Sequence, residues 1–120
     1  LGLDGHAYDP ITHLNLSFQG FGDIVKQLRE MRYPWLALGG GGYDVWAVAR
    51  GWTLAFGLMN NLELSDVVPQ KYASKYDLMF LRDDIATFPK ITKDLTNLTW
   101  NAALSSVQHI KETWSTIFSG

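Results

Sequence analysis

The order of periodic segments along the chain predicts an α/β protein with parallel strands, and three segments carry that expectation. Between Gly20 and Met31 the apolar residues Phe21, Ile24, Val25, Leu28 and Met31 recur at helical spacing, with Lys26, Arg29 and Glu30 on the opposite face. After Pro34 comes Trp35-Leu36-Ala37-Leu38, a short apolar run of the kind found in a strand buried on both sides, ended by Gly39-Gly40-Gly41-Gly42. Asp44 then offers an N-cap, and Val45, Val48, Ala49, Trp52, Ala55, Phe56 and Met59 draw a helical stripe that stops at Asn60-Asn61. Helix, strand, glycine turn and helix in succession is how parallel strands are connected.

Upstream, Leu1-Gly2-Leu3 reads as the end of a strand that begins elsewhere, and with no initiator Met the chain is expected to be a fragment. Beyond Leu62 the pattern weakens. Pro69 and Pro89 suggest connecting segments around a short turn near Tyr76 to Leu81. A terminal helix follows, capped by Asn97 or Thr99, with Trp100, Ala103, Leu104, Val107, Ile110, Trp114 and Ile117 on its apolar face. The reading therefore divides the chain into residues 1–62, carrying the strand and loop pattern, and 63–120, a connection and a helical tail.

Composition narrows the function classes. With 120 residues and 47% hydrophobic content the chain is expected to form a globular unit with a core of moderate size. Ten basic against twelve acidic residues leave a net charge of −2, too balanced for a phosphate-tracking surface, so nucleic acid is not an expected direct partner. There is no cysteine, so any metal must be held by His, Asp or Glu, and a reducing cytoplasm fits. The apolar tract from Trp35 to Met59 is broken by its glycines, Asp44 and Arg50, and does not read as a membrane span. Nor does the N-terminus, with Asp4 and no preceding basic residue, read as a signal peptide.

Ligands of parallel sheets sit at the carboxyl ends of strands, which directs attention to two loops. One holds Asp4, His6, Tyr8 and Asp9; the other holds Gly39 to Gly42 and Tyr43. Four glycines let a ligand approach the main chain with no Cβ in the way. A phosphate cradle is disfavoured, because no Gly-Lys-Ser/Thr follows and Asp44 puts negative charge where phosphate would sit. The wall of a narrow channel and a merely tight turn both remain open. Asp9 reads either as a metal ligand or as an ordinary Asp-Pro turn. Tyr43 reads either as a hydrogen-bond donor to a developing oxyanion or as a packing residue with a solvated tip. His6, His13 and His109 share no metal-ligand spacing, and His6 is expected in a polar loop role.

Taken in order, Asp4-Gly5-His6-Ala7-Tyr8-Asp9-Pro10, Asn15-Leu16-Ser17, Leu36-Ala37-Leu38-Gly39-Gly40-Gly41-Gly42-Tyr43 and Val48-Ala49-Arg50-Gly51-Trp52-Thr53 resemble the C-terminal part of deacetylases of the arginase/deacetylase fold. This is the family of histone deacetylases and acetoin-utilisation deacetylases. Asp4-Gly5-His6 and Thr12-His13-Leu14-Asn15-Leu16-Ser17 look more like the bacterial acetoin-utilisation branch. The resemblance covers Leu1 to Leu62.

The resemblance implies the C-terminal portion of a three-layer, parallel-sheet domain with a helical tail. It places Asp9 where the family has its last zinc ligand and Tyr43 where a tyrosine meets the substrate carbonyl opposite the metal. Gly41 and Gly42 would line an acyl-lysine channel, Leu16 its apolar wall, and Asp4 would support the ligands from behind. Zinc would then polarise an amide carbonyl and acidify a water, an upstream histidine would take the proton, and Tyr43 would stabilise the oxyanion. The substrate implied is an acylated lysine or a small acylated amine. The histidine pair and the Asp-x-His ligands of such enzymes do not occur here, so the chain alone is expected to be inactive and to need the N-terminal part of the same domain. An apolar edge at Trp35 to Leu38 makes self-association a further expectation. Two other readings stand beside this one: a non-catalytic binding module of the same fold, and an arginase-like hydrolase with manganese, for which Asp4, His6 and Asp9 offer only a partial ligand set.

Overall fold

A computed structural model describes the backbone of residues 1–118 and the side chains of residues 1–115; Ile117, expected on the apolar face of the terminal helix, lies outside the described side chains. The chain forms two compact units, Leu1–Pro89 and Lys90–Gly120. The described elements are α1 (Phe18–Glu30), α2 (Val45–Met59), α3 (Gln70–Tyr76) and α4 (Lys93–Phe118).

Helix α1 starts two residues before its expected boundary because Ser17 caps it, its side chain accepting from the Gly20 N–H at 3.1 Å. Phe18, Phe21, Gly22 and Val25 are its buried face. Helix α2 begins and ends where its sequence signals stand, with the Asp44 carboxylate accepting from the Ala47 N–H at 2.6 Å and Asn61 following in a left-handed conformation. The face α2 buries is Ala47, Gly51, Leu54, Ala55 and Gly57; of the expected stripe Ala55 is buried and Val48, Trp52 and Met59 pack partly buried against the core, while Val45, Ala49 and Phe56 stay exposed. Small residues explain the choice. At Gly51 a Cβ would collide with the Leu3 side chain and come within 3.1 Å of the Phe18 ring, and at Gly22 it would meet Leu58 at 3.3 Å. The helices therefore pack at close range, and Leu3, Phe18, Phe21, Val25, Ala47, Leu54, Ala55 and Leu81 make the core of this unit. Arg29 ties the far end of the pair, donating to the Leu58 carbonyl at 3.0 Å and to Asn61 Oδ1 at 2.9 Å.

No strand forms among the described residues, which corrects the expected strand at Trp35 to Leu38. That run is held by Trp35, which packs partly buried against the core, and by the Leu1 amino group donating to the Leu38 carbonyl at 2.8 Å, and beside it Leu3 N–H donates to Gly41 O at 2.7 Å. Both bonds advance along the two segments in the same sense, so the pairing runs parallel, but no third segment joins it. Leu36 and Leu38 accordingly stand 80% and 67% exposed, where burial on both sides was expected.

After α2 the chain folds back within the first unit. Val67 and Phe80 bridge antiparallel, Leu81 enters the core, and Asp77 ends α3 in a left-handed conformation. The second unit is α4. It begins earlier than either expected cap, because the Thr92 hydroxyl accepts from Leu95 N–H at 3.3 Å, whereas Thr99 lies inside the helix and donates to the Leu95 carbonyl at 2.9 Å. Trp100, Leu104, Val107, Ile110 and Trp114 are exposed. No described helix is long and apolar enough to cross a membrane.

Candidate functional site

Two loops meet on one side of the first unit: residues 4–12, leading towards α1, and residues 39–44, leading into α2. The first is folded on itself by a parallel bridge, with Leu16 N–H donating to Gly5 O at 2.8 Å and Ala7 N–H donating to Leu16 O at 3.1 Å. Thr12 closes it further by donating its hydroxyl to the Asp4 carbonyl.

Asp9 is the junction of the two loops. Its Oδ1 accepts from Ile11 N–H at 2.9 Å and Thr12 N–H at 3.2 Å, the Asx turn that an Asp-Pro pair favours. Its Oδ2 reaches across the chain to accept from Tyr43 N–H at 2.8 Å, which a local turn does not require. Only 6% of Asp9 is exposed. Burial pushes the carboxyl up, and the N–H groups of Ile11, Tyr43 and Thr12 more than reverse it and hold the group below its ordinary value of 3.8. Asp9 is thus an ionised, anchored carboxylate.

The glycines are explained by close approach. A Cβ at Gly41 would collide with the Asp4 carboxylate, and Gly2 is shielded by the same group. Gly42 has φ +139°, and a Cβ there would meet Val48 Cγ2 at 2.8 Å. Asp4 therefore fills the space behind the glycine loop, while Tyr43 leaves the loop 57% exposed. Leu16 is half-buried beside the core, with a methyl 3.0 Å from where a Gly20 Cβ would stand.

His6, expected in a polar loop, is buried instead. Its Nδ1 accepts from Tyr8 N–H at 3.4 Å, which leaves the proton on Nε2, 3.1 Å from Asp83 Oδ2. The imidazole stacks on Phe18 at 4.2 Å between centroids, and the Arg50 guanidinium lies 4.5 Å from the centre of the same ring. Asp83 also accepts from Phe18 N–H at 2.7 Å and from Arg50 Nη2 at 3.2 Å. Burial raises the Asp83 carboxyl, but the His6 hydrogen bond, the Phe18 N–H and the charge of Arg50 outweigh it and hold the group below 3.8. Asp83 was not foreseen from sequence: in Arg82-Asp83-Asp84 it reads as a solvated charge, and nothing local announces a partner 77 residues away.

Among the described residues no group of three or more His, Asp or Glu stands close enough to hold a metal ion. Asp9, Tyr43, Gly41 and Gly42 come together; Asp4 backs them; Leu16 reaches them through the backbone bridge.

Residues 1–59 match the profile of the histone deacetylase domain. The chain is similar to the acetoin utilization protein AcuC of Bacillus subtilis, 31% identical over 81 residues that cover 62% of this chain and 21% of that protein. It is 37% identical over 75 residues to histone deacetylase 9 of Arabidopsis thaliana, covering 62% of this chain and 18% of the relative. To histone deacetylase 8 of Xenopus tropicalis it is 39% identical over 69 residues, covering 58% and 19%. The chain thus spans about a fifth of the length of these relatives. No solved structure matches it significantly.

Proposed function

We propose, from the match of residues 1–59 to the histone deacetylase domain profile, that this chain supplies one zinc ligand, Asp9, and one oxyanion donor, Tyr43, to a zinc-dependent deacetylase acting on an acetyl-lysine or related acylated amine. The observation that carries the reading is the 2.8 Å bond from Tyr43 N–H to Asp9 Oδ2, which fastens the two residues to each other across 34 positions of chain.

Zinc fits Asp9 as one member of a larger ligand set. An ionised carboxylate has about four acceptor sites, and three N–H groups use all but one of them. The ion needs further ligands, and with no metal-holding cluster among the described residues these come from residues outside the 120, as does the general base. Bound there, zinc supplies a Lewis acid beside the amide carbonyl. The chain's own residues do the rest: Tyr43 donates its hydroxyl to the carbonyl oxygen as charge develops, Gly41 and Gly42 let the acyl chain pass close to the backbone, and Leu16 faces it with apolar surface. Asp4 keeps the glycine loop in place. The Asp4-Gly5-His6 and Thr12-His13-Leu14-Asn15-Leu16-Ser17 variants favour an enzyme of the bacterial acetoin-utilisation type, and the absence of cysteine fits a reducing cytoplasm.

The test is made on the whole protein. Stoichiometric zinc and release of acetate from an acetyl-lysine peptide are expected; a whole protein with neither is a binding module. The 120-residue chain alone is expected to release no acetate with zinc supplied, and activity there would overturn the need for outside ligands. Alone it is also expected to self-associate through the exposed Leu36 and Leu38, an expectation that a monomer by light scattering at high concentration would overturn.

A further inference from the structure

We infer that Asp83 is the positioning residue of the Asp9 loop, an inference that rests on the zinc reading above. Asp83 lies outside the residues matched by the family, yet its carboxylate is the one point in the first unit where the Asp9 loop, α1 and α2 are joined by polar bonds: His6 Nε2 at 3.1 Å, Phe18 N–H at 2.7 Å and Arg50 Nη2 at 3.2 Å. It is 9% exposed, so each of these bonds forms where water competes little.

The path from Asp83 to Asp9 is short and made of covalent and hydrogen bonds. Asp83 fixes the His6 ring, whose plane is fixed again by the stack on Phe18 at 4.2 Å. The His6 carbonyl accepts from Asp9 N–H at 3.0 Å, so the place of His6 sets the place of the Asp9 backbone. Arg50 holds the same corner from α2, donating to the carbonyls of Leu81 at 3.0 Å and Arg82 at 2.7 Å as well as to Asp83. Without Asp83 the turn from Asp9 to Thr12 and the bond from Tyr43 N–H to Asp9 Oδ2 survive, but the buried polar bonds that hold the His6 ring to the α1 N-terminus and to Arg50 of α2 are gone. A ligating carboxylate must be held to within about 0.5 Å, and the local turn with the one bond from Tyr43 N–H holds it less tightly than the same contacts with the His6 anchor behind them.

The experiment compares zinc affinity, by chelator competition, and amide hydrogen exchange in the whole protein. Asp83→Ala is expected to weaken zinc binding by roughly 10–100-fold, the usual cost of losing a residue that orients a ligand from behind. It is also expected to speed exchange at the amides of Ile11 and Tyr43, which bond the Asp9 carboxylate. His6→Phe keeps a ring to stack on Phe18 and removes the two ring nitrogens, and with them the bond to Asp83 and the longer one from Tyr8 N–H, so it gives the same two changes in smaller measure even where Asp83→Ala does not fold. Val25→Ala opens a cavity at a fully buried position of α1 with no bond to the loop; it is expected to lower the melting temperature and leave both readouts unchanged. Wild-type zinc affinity and wild-type exchange in His6→Phe and Asp83→Ala, with zinc lost in Asp9→Ala, would overturn the inference and leave the zinc reading standing. Full zinc in Asp9→Ala would remove the zinc reading instead, and the exchange rates would then decide alone whether Asp83 positions the loop.

Discussion

Asp9 and Tyr43 share a hydrogen bond and differ in nearly everything else. The carboxylate is buried and takes three backbone N–H groups; the phenol is more than half exposed and is held to the site only through its own backbone. Charge accounts for the contrast. An ionised group out of water costs several kcal/mol unless its acceptor sites are filled, so the fold surrounds Asp9 with donors. A hydroxyl meant to meet a transient charge on a ligand must keep its donor uncommitted, so the fold leaves the Tyr43 tip open. One residue is built into the protein, the other presented by it.

Substitution should pull the two apart, and the largest effect falls on the built-in member. Asp9→Ala in the whole protein takes away a ligand and the acceptor of three N–H groups at once, so zinc is expected to leave and the melting temperature to fall together. Elemental analysis showing normal zinc would remove Asp9 from the metal site. Tyr43→Phe leaves the Tyr43 N–H and hence the Asp9 bond intact, so zinc and melting temperature are expected to hold. The kcat is expected to drop by about 10²–10³-fold, or about 2.7–4 kcal/mol of transition-state stabilisation. An unchanged kcat would mean that the hydroxyl does not reach the reacting carbonyl. Gly42→Ala tests the loop that separates them. With φ at +139° and Val48 Cγ2 at 2.8 Å from the new Cβ, roughly 1–3 kcal/mol of stability is expected to be lost in chemical denaturation. Wild-type stability there would show that the loop adapts freely.

The same contrast marks what the sequence made legible. Helix α2 was readable to the residue because its signals are local: Asp44 caps it and Asn60-Asn61 end it within one turn of its last apolar residue. Asp9, Tyr43 and the glycines were readable as a candidate site because a family pattern holds them in order. What stayed hidden was set by distant neighbours. The buried face of α2 follows from Gly51 and Gly22 accepting close packing, and the open state of Leu36 and Leu38 follows from the absence of a further paired segment beside them. Asp83 is the clearest case: an aspartate in an acidic pair carries no local mark of the histidine, arginine and helix N-terminus it joins. Pairings of that separation are decided by the whole packing, and no window of one sequence contains them.

The smallest expected effect concerns acid, and it asks whether Asp83 is built in as Asp9 is. Its carboxyl is held below 3.8 in the folded chain by His6, Phe18 N–H and Arg50 against the opposing effect of burial, so folding favours the ionised form. A group depressed in this way contributes stability that is fully present above its unfolded value near 3.8 and is lost as pH falls through the lower folded value. The contribution of Asp83 to the melting temperature should therefore stay constant between pH 7 and pH 5, within about a degree, and begin to decline only below about pH 4. Asp83→Asn cannot ionise, so it should start from a lower melting temperature at neutral pH and decline less steeply in acid. The two curves should converge towards pH 2, where the wild-type carboxyl is being protonated as well. Parallel curves for wild type and Asp83→Asn down to that pH would mean that Asp83 titrates alike in the folded and unfolded chain, and its bonds to His6, Phe18 and Arg50 would then favour neither protonation state.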